Sequence, residues 1–239
     1  MGFLEHLDEL RRRLLYSLAA IALAFALALT RARDILEFLL RPIRPFLGDQ
    51  KPVFFDLTEP FVLYMKVGFL ASLFLSAPFV LYQLWAFISP GLYPRERRMA
   101  LPFVVFATVF FVLGGAFGYY VGFPSAARFL LSIAGEFEPN LRISSLFTFE
   151  SRILLGMGLV FELPTVIYFL ARLGLVTPRF LWRRFNYAIL IIFIIAAVIT
   201  PTSDVVTQAM MAAPMMVLYA ISIVIAWVFG RRKRATDDE

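Results

Sequence analysis

Cysteine is absent from these 239 residues and histidine occurs once, at His6. No disulfide and no thiolate metal site can form, and a multi-histidine metal site is excluded. The HExxH helix, the nucleophile elbow and the phosphate-binding glycine loop are all missing, and no histidine stands near any serine. An enzyme reading therefore has no residues to rest on, ATP hydrolysis included, and no cofactor is expected. Charge is scarce as well. Only 17% of residues are Asp, Glu, Lys or Arg, and they cluster between apolar runs.

Those runs are what the chain has in abundance. Hydrophobic residues make up 61%, Phe alone contributes 27, and mean hydropathy is +0.80. Six runs stand out, at 14–30, 67–88, 101–123, 153–171, 185–200 and 209–229. A helix needs about 20 apolar residues to cross the hydrocarbon core. Lipid offers a backbone no hydrogen-bond partners, so such spans must be helical. The expectation is an all-α polytopic membrane protein, one membrane domain over 1–239 with no room for a soluble one. The first run follows Arg11, Arg12 and Arg13 like a signal peptide. Its length, the acids Glu5, Asp8 and Glu9 before it, and the five spans after it argue against that.

Charge sets the orientation. With the N-terminus in the cytoplasm, segments 1–13, 89–100, 172–187 and 230–239 carry 14 Lys and Arg in 51 residues, and the other side carries 8 in 67. Net charges are +7 and −1. Positive residues stay cytoplasmic during insertion, so both termini are expected inside. The pI of 9.8 is then a matter of topology and needs no nucleic-acid partner. On the outer side, 31–60 and 124–150 read as capping segments, with short interfacial helices at 34–47 and 124–133. The fifth run is short, so the bilayer thins there or the helices begin earlier.

Prolines 78, 164 and 214 fall inside spans and predict bends. Gly114, Gly118 and Gly122 recur every four residues as a smooth stripe, read first as close packing within the bundle and second as a dimerisation face. No whole-chain repeat is visible, which weakens an inverted-repeat transporter.

Carboxylates among arginines carry the chemistry. Along Phe3–Leu14 (FLEHLDELRRRL), Glu5, Asp8, Glu9 and Arg12 fall within reach at i+3 and i+4, with Leu4, Leu7, Leu10 and Leu14 marking an apolar side. In Ser89–Arg98 (SPGLYPRERR), Glu96 sits among Arg95, Arg97 and Arg98. Local salt bridging explains such clusters; reception of an external cation is the functional alternative. Spacing alone leaves both open.

A resemblance bears on that choice. Phe3–Leu14, Phe55–Phe61 (FDLTEPF), Tyr82–Arg98 (YQLWAFISPGLYPRERR), Gly114–Tyr120 (GGAFGYY), Phe161–Pro164 (FELP), Ile199–Gln208 and Ala213–Tyr219 resemble TatC, the multispanning core subunit of the twin-arginine protein translocase. The resemblance implies six spans and a place in the cytoplasmic (inner) membrane. It further implies a non-enzymatic receptor for signal peptides with two consecutive arginines, exporting folded proteins on the proton-motive force. TatA- and TatB-type single-span proteins are the implied partners, beside lipid, with homo-oligomerisation left open. Carried over by motif, Glu9 and Glu96 resemble the arginine-recognising acids, and Leu10, Arg11, Phe87, Pro90 and Tyr93 their support. Arginine pairs bidentately with a carboxylate and lysine does not, so such acids would discriminate the two. The outer loop TPTSD keeps Asp204 but is one residue longer than the commoner TPPD, and Ala220 stands where many relatives carry an acid.

One acid lies within a run. Glu162 in FELP reads either as an internal hydrogen bond near Pro164 or as a polar contact for a partner's transmembrane helix, as the resemblance implies. The rival function, a secondary transporter of a small solute, would need several such groups at the midplane, and Glu162 is the clear one.

Overall fold

In the computed structural model, residues 3–47, 52–89, 100–133, 135, 140–200 and 204–230 are described. Eleven α-helices occur among them: α1 Phe3–Leu29, α2 Ala32–Leu40, α3 Arg44–Leu47, α4 Glu59–Ile88, α5 Ala100–Phe117, α6 Phe123–Ile133, α7 Ile143–Phe161, α8 Leu163–Arg172, α9 Pro178–Arg183, α10 Phe185–Ile199 and α11 Val205–Phe229. A π-helical turn, Gly118–Gly122, joins α5 to α6. No strand is formed by the described residues; Val53 and Arg142 make an isolated parallel bridge.

Five helices or helix pairs are long and apolar enough to cross a membrane: Glu5–Leu29, Glu59–Ile88, Ala100–Ile133, Ile143–Arg172 and Val205–Phe229. The sixth expected span, α10, has 15 residues. At about 1.5 Å per residue it is about 22 Å long, short of the roughly 30 Å core.

Three boundaries differ from the sequence reading. The stretch 3–14 and the first expected span form one helix, α1, and the apolar side read for 3–14 looks outward, with Leu7, Leu10 and Leu14 exposed and Glu9 buried instead. The helix of the third expected span does not stop at residue 123 but runs on to Ile133. The π turn lets it do so: the Phe123 N–H reaches back to the Gly118 carbonyl, and the wider turn accommodates Pro124, which has no N–H to donate. The helix expected at 153–171 begins at Ile143, and Glu150 and Arg152, which mark an outer loop in the sequence, lie within α7. Segment 124–150 is therefore largely helix continuous with the spans rather than a separate cap. Of the three intramembrane prolines, Pro164 alone coincides with a break; α4 and α11 continue through Pro78 and Pro214.

The chain packs as two compact units, Met1–Gly158 and Leu159–Glu239. In the first, α1 lies along α4, α4 packs on α5, and α2 covers α4. Its core joins Leu36 and Leu39 of α2, Leu63, Val67 and Leu70 of α4, Tyr119 of the π turn, and Phe147 and Leu154 of α7. Tyr119 stacks on Phe38 and donates its hydroxyl to the Phe38 carbonyl at 2.6 Å, which pins α2. Gly114, Gly118 and Gly122 are all buried. A Cβ on Gly118 would sit 3.1 Å from the Leu154 Cα and 3.2 Å from the Ile153 carbonyl oxygen. The stripe serves close packing inside the chain, at least at Gly118, where it meets the α7 backbone.

One polar knot fixes the Glu59 end of this unit. The Glu59 carboxylate, almost fully buried, accepts from Arg142 Nε at 2.9 and 3.0 Å, from the Phe55 N–H at 3.1 Å and from the Ser144 N–H at 3.4 Å. It thereby ties the start of α4, the preceding loop and the start of α7 together.

In the second unit, α8, α9 and α10 pack on α11. The Tyr219 hydroxyl donates to the Leu181 carbonyl at 2.9 Å, and Gln208 Nε2 to the Phe193 carbonyl at 2.8 Å. Asp204 is the N-cap of α11, its Oδ1 accepting from the Thr207 N–H at 2.6 Å. The cap satisfies one of the donors every helix start leaves open.

Candidate functional site

The expected arginine-recognising residues divide between α1, α4 and the 89–100 connection. Glu96, Pro90 and Tyr93 lie outside the described residues. Glu9, Leu10, Arg11 and Phe87 are described, and two of them, Glu9 and Phe87, lie where α1 crosses α4. His6 stacks on Phe87, ring centroids 4.4 Å apart. One turn further along α1, Glu9 faces α4 and is 8% exposed. One turn beyond that, Arg13 bridges the helices. Its Nη2 donates to Glu9 Oε1 at 3.2 Å and its Nη1 to Gln83 Oε1 at 3.0 Å.

Helical geometry explains the selection. Positions 6, 9 and 13 are three and four apart and share a face, as do 83 and 87 on α4. Leu10 and Arg11 are turned about 100° and 200° from Glu9 and are exposed. The carboxylate of Glu9 is thus already engaged by a guanidinium of its own helix. Arg12, expected within reach of the acids, is exposed, and the pair that forms is Glu9 with Arg13. Three consecutive arginines look alike in a sequence. Only the docking of α4 separates them.

Glu162 sits at the joint between α7 and α8, about two-thirds along that crossing rather than at its centre. Pro164 in the first turn of α8 causes the joint: a proline ring clashes with the carbonyl four residues earlier and interrupts the helix. The Glu162 main chain is satisfied, its carbonyl accepting from the Val166 N–H at 2.9 Å. Its side-chain Oε1 is buried with no hydrogen-bond partner among the described residues. The internal hydrogen bond considered for this acid is not found there.

With this geometry in view, the comparisons with known proteins settle the family. A family model described as Sec-independent protein translocase protein (TatC) matches residues 5–214. This chain belongs to the TatC family. The TatC protein of Koribacter versatilis is 45% identical over 246 residues, covering 100% of this chain and 91% of that one. A TatC protein of Helicobacter pylori is 42% identical over 222 residues, covering 92% of this chain and 87% of the relative. A solved structure described as the crystal structure of the twin-arginine translocase receptor TatC superposes with a TM-score of 0.84 at 34% identity, covering 95% of this chain and all of that one. As a TatC protein, the chain is a multi-pass membrane component of the Sec-independent protein translocase and not an enzyme.

Two features of this TatC chain escape a sequence reading. Gln83 holds Arg13 in place, yet an amide in an apolar helix carries no periodic signal. Glu150 is fully buried in α7, and both carboxylate oxygens are without a hydrogen bond among the described residues. Its neighbours in the sequence, Ser151 and Arg152, suggested a loop, and the apolar positions Leu146, Phe147, Ile153 and Leu154 around it were the signal that it lies on a helix.

Proposed function

We propose that this protein is the receptor core of twin-arginine export: it binds signal peptides bearing paired arginines at a cytoplasmic patch built on Glu9 and Glu96, and nucleates passage of folded proteins driven by the proton-motive force. Six spans with both termini in the cytoplasm, the short α10 among them, place 1–13 and 89–100 on the same side of the cytoplasmic membrane. Leu10, Arg11, Phe87, Pro90 and Tyr93 frame the patch. TatA- and TatB-type single-span proteins are the partners, with Glu162 offering one of them a polar contact.

The observation that carries this reading is the Glu9–Arg13 pair. A carboxylate kept in a nearly dry contact between α1 and α4, with a guanidinium on it, is chemically suited to accept a guanidinium from outside. Arginine keeps its charge in such a place and is less tightly hydrated than lysine.

The test is binding of a labelled twin-arginine signal peptide to the protein in lipid nanodiscs, against a twin-lysine peptide. A hydrogen bond to a charged group contributes about 1.5–3 kcal/mol, so Glu9→Ala and Glu96→Ala should each weaken binding about tenfold or more. Equal affinity for the two peptides in the unchanged protein overturns the assignment.

A further inference from the structure

A second set of charges, remote from the α1–α4 patch, lines a groove on the first unit. Lys66 of α4 and Arg152 of α7 both border a cavity of about 550 Å³ whose walls are mostly apolar, Phe25, Phe69 and Phe147 among them. Both cations are exposed, and neither has an ion pair or hydrogen bond among the described residues. Two hydroxyls, those of Thr148 and Ser151, border the same space. Each donates to a carbonyl of its own helix, Thr148 to Ser144 and Ser151 to Thr148. Their oxygens keep lone pairs, but the free donors in the groove are the two cations.

Depth narrows the ligand. The knot at Glu59 and Arg142 puts the first turns of α4 and α7 at the same end of the unit. The crossing Glu59–Ile88 has 30 residues, so it is about 45 Å long and, centred, overhangs a 30 Å hydrocarbon core by about 7 Å at either end. Lys66 then lies about 3 Å, and Arg152 about 6 Å, inside the hydrocarbon boundary. Lysine and arginine stems reach that far, carrying their charges to the headgroup level while the methylenes stay on apolar surface.

We propose that this groove is a binding site for an anionic phospholipid of the leaflet at the Glu59 end: the headgroup phosphate bridges Lys66 and Arg152, and an acyl chain lies along the phenylalanines. Charge decides against a neutral lipid. Two cations unpaired among the described residues face the groove, and no acid is among the described residues that line it. A zwitterionic headgroup would bring a cation of its own towards them. Each basic residue near a membrane surface strengthens attraction to anionic lipid, and together the two should favour it about tenfold or more. The inference rests on the multi-span placement of the chain and not on the signal-peptide reading.

Native mass spectrometry of the full chain, purified in a neutral detergent and titrated with dioleoyl phosphatidylglycerol or dioleoyl phosphatidylcholine, tests it. The phosphatidylglycerol adduct should form at about tenfold lower lipid concentration or less. Lys66→Gln combined with Arg152→Gln should remove that preference, and the charge-keeping pair Lys66→Arg with Arg152→Lys should retain it, which guards against a double variant that fails to fold. Equal retention of the two lipids, or a preference untouched by the double change, overturns the site. So does a photoreactive residue at Val62, on the groove wall, that captures a membrane polypeptide instead of lipid in native membranes.

Discussion

If Glu9 receives a signal-peptide arginine as proposed, Arg13 holds the place that arginine would take, and its replacement has an effect of definite sign. Consider Arg13→Gln. The side chain keeps an amide that can still meet Gln83 across the α1–α4 contact, but Glu9 loses its cation. An exposed i,i+4 ion pair contributes about 0.3–0.5 kcal/mol. A hydrogen bond to a charged group in a drier place contributes about 1.5–3 kcal/mol. The side chains of Glu9 and Arg13 are 9% and 24% exposed, which puts this pair between the two regimes. We take about 1–2 kcal/mol. The free protein should lose that stability, because a buried acceptor is left without its partner. A peptide arginine that supplies the missing guanidinium recovers it, so the affinity for a twin-arginine peptide should rise about five- to thirtyfold. Fluorescence anisotropy with the peptide in nanodiscs reads the gain, and a thermal melt in detergent reads the loss. In Arg13→Gln with Glu9→Ala the gain should vanish. If Arg13→Gln weakens binding as far as Glu9→Ala does, Arg13 is a support for the ligand rather than its stand-in, and the reasoning fails.

Three further outcomes follow from the packing. Gly118→Val should abolish folding in thermal melts, since even a Cβ there meets the α7 backbone at 3.1–3.2 Å, while Gly118→Ala should cost about 1–3 kcal/mol, the usual range for overpacking. Glu150→Met should raise the melting temperature, because it removes a buried carboxylate with no hydrogen-bond partner among the described residues, a burden of about 1–3 kcal/mol, at similar volume; a lowered melting point would show that the carboxylate holds something. Glu162→Ala should leave folding and peptide binding intact while reducing crosslinking to single-span partners and export, with Glu162→Gln milder; unchanged crosslinking would make the residue merely structural.

Hydropathy was enough to read most of the helices, because crossing lipid demands long apolar runs and few other residues compete to explain them. It misplaced the start of α7 for the same reason. Glu150 and Arg152 look like loop residues when each is scored alone, yet one turns into the protein and the other into a groove. The extension of the third span past Pro124 was hidden too, since a proline ordinarily ends a helix and only the π turn before it prevents that. At the α1–α4 patch, the sequence marked Glu9 and Phe87 through motif resemblance, but which of three adjacent arginines meets the acid depends on a crossing helix seventy residues away. Tertiary contacts of that kind leave no local pattern.

The glycines of the third span have a consequence for assembly. Once Gly114, Gly118 and Gly122 are enclosed within the chain, the face that α5 leaves outward is built of Leu101, Val105, Phe106, Val109, Val112 and Leu113. A neighbouring helix meeting that face finds no track of small residues along which two backbones could close up. Bulky apolar side chains gain little from one another that acyl chains do not already offer. Whatever touches α5 from the bilayer therefore does so loosely, trading places with lipid rather than locking in. The chain has kept its tight joints for itself and presents a slippery flank to company.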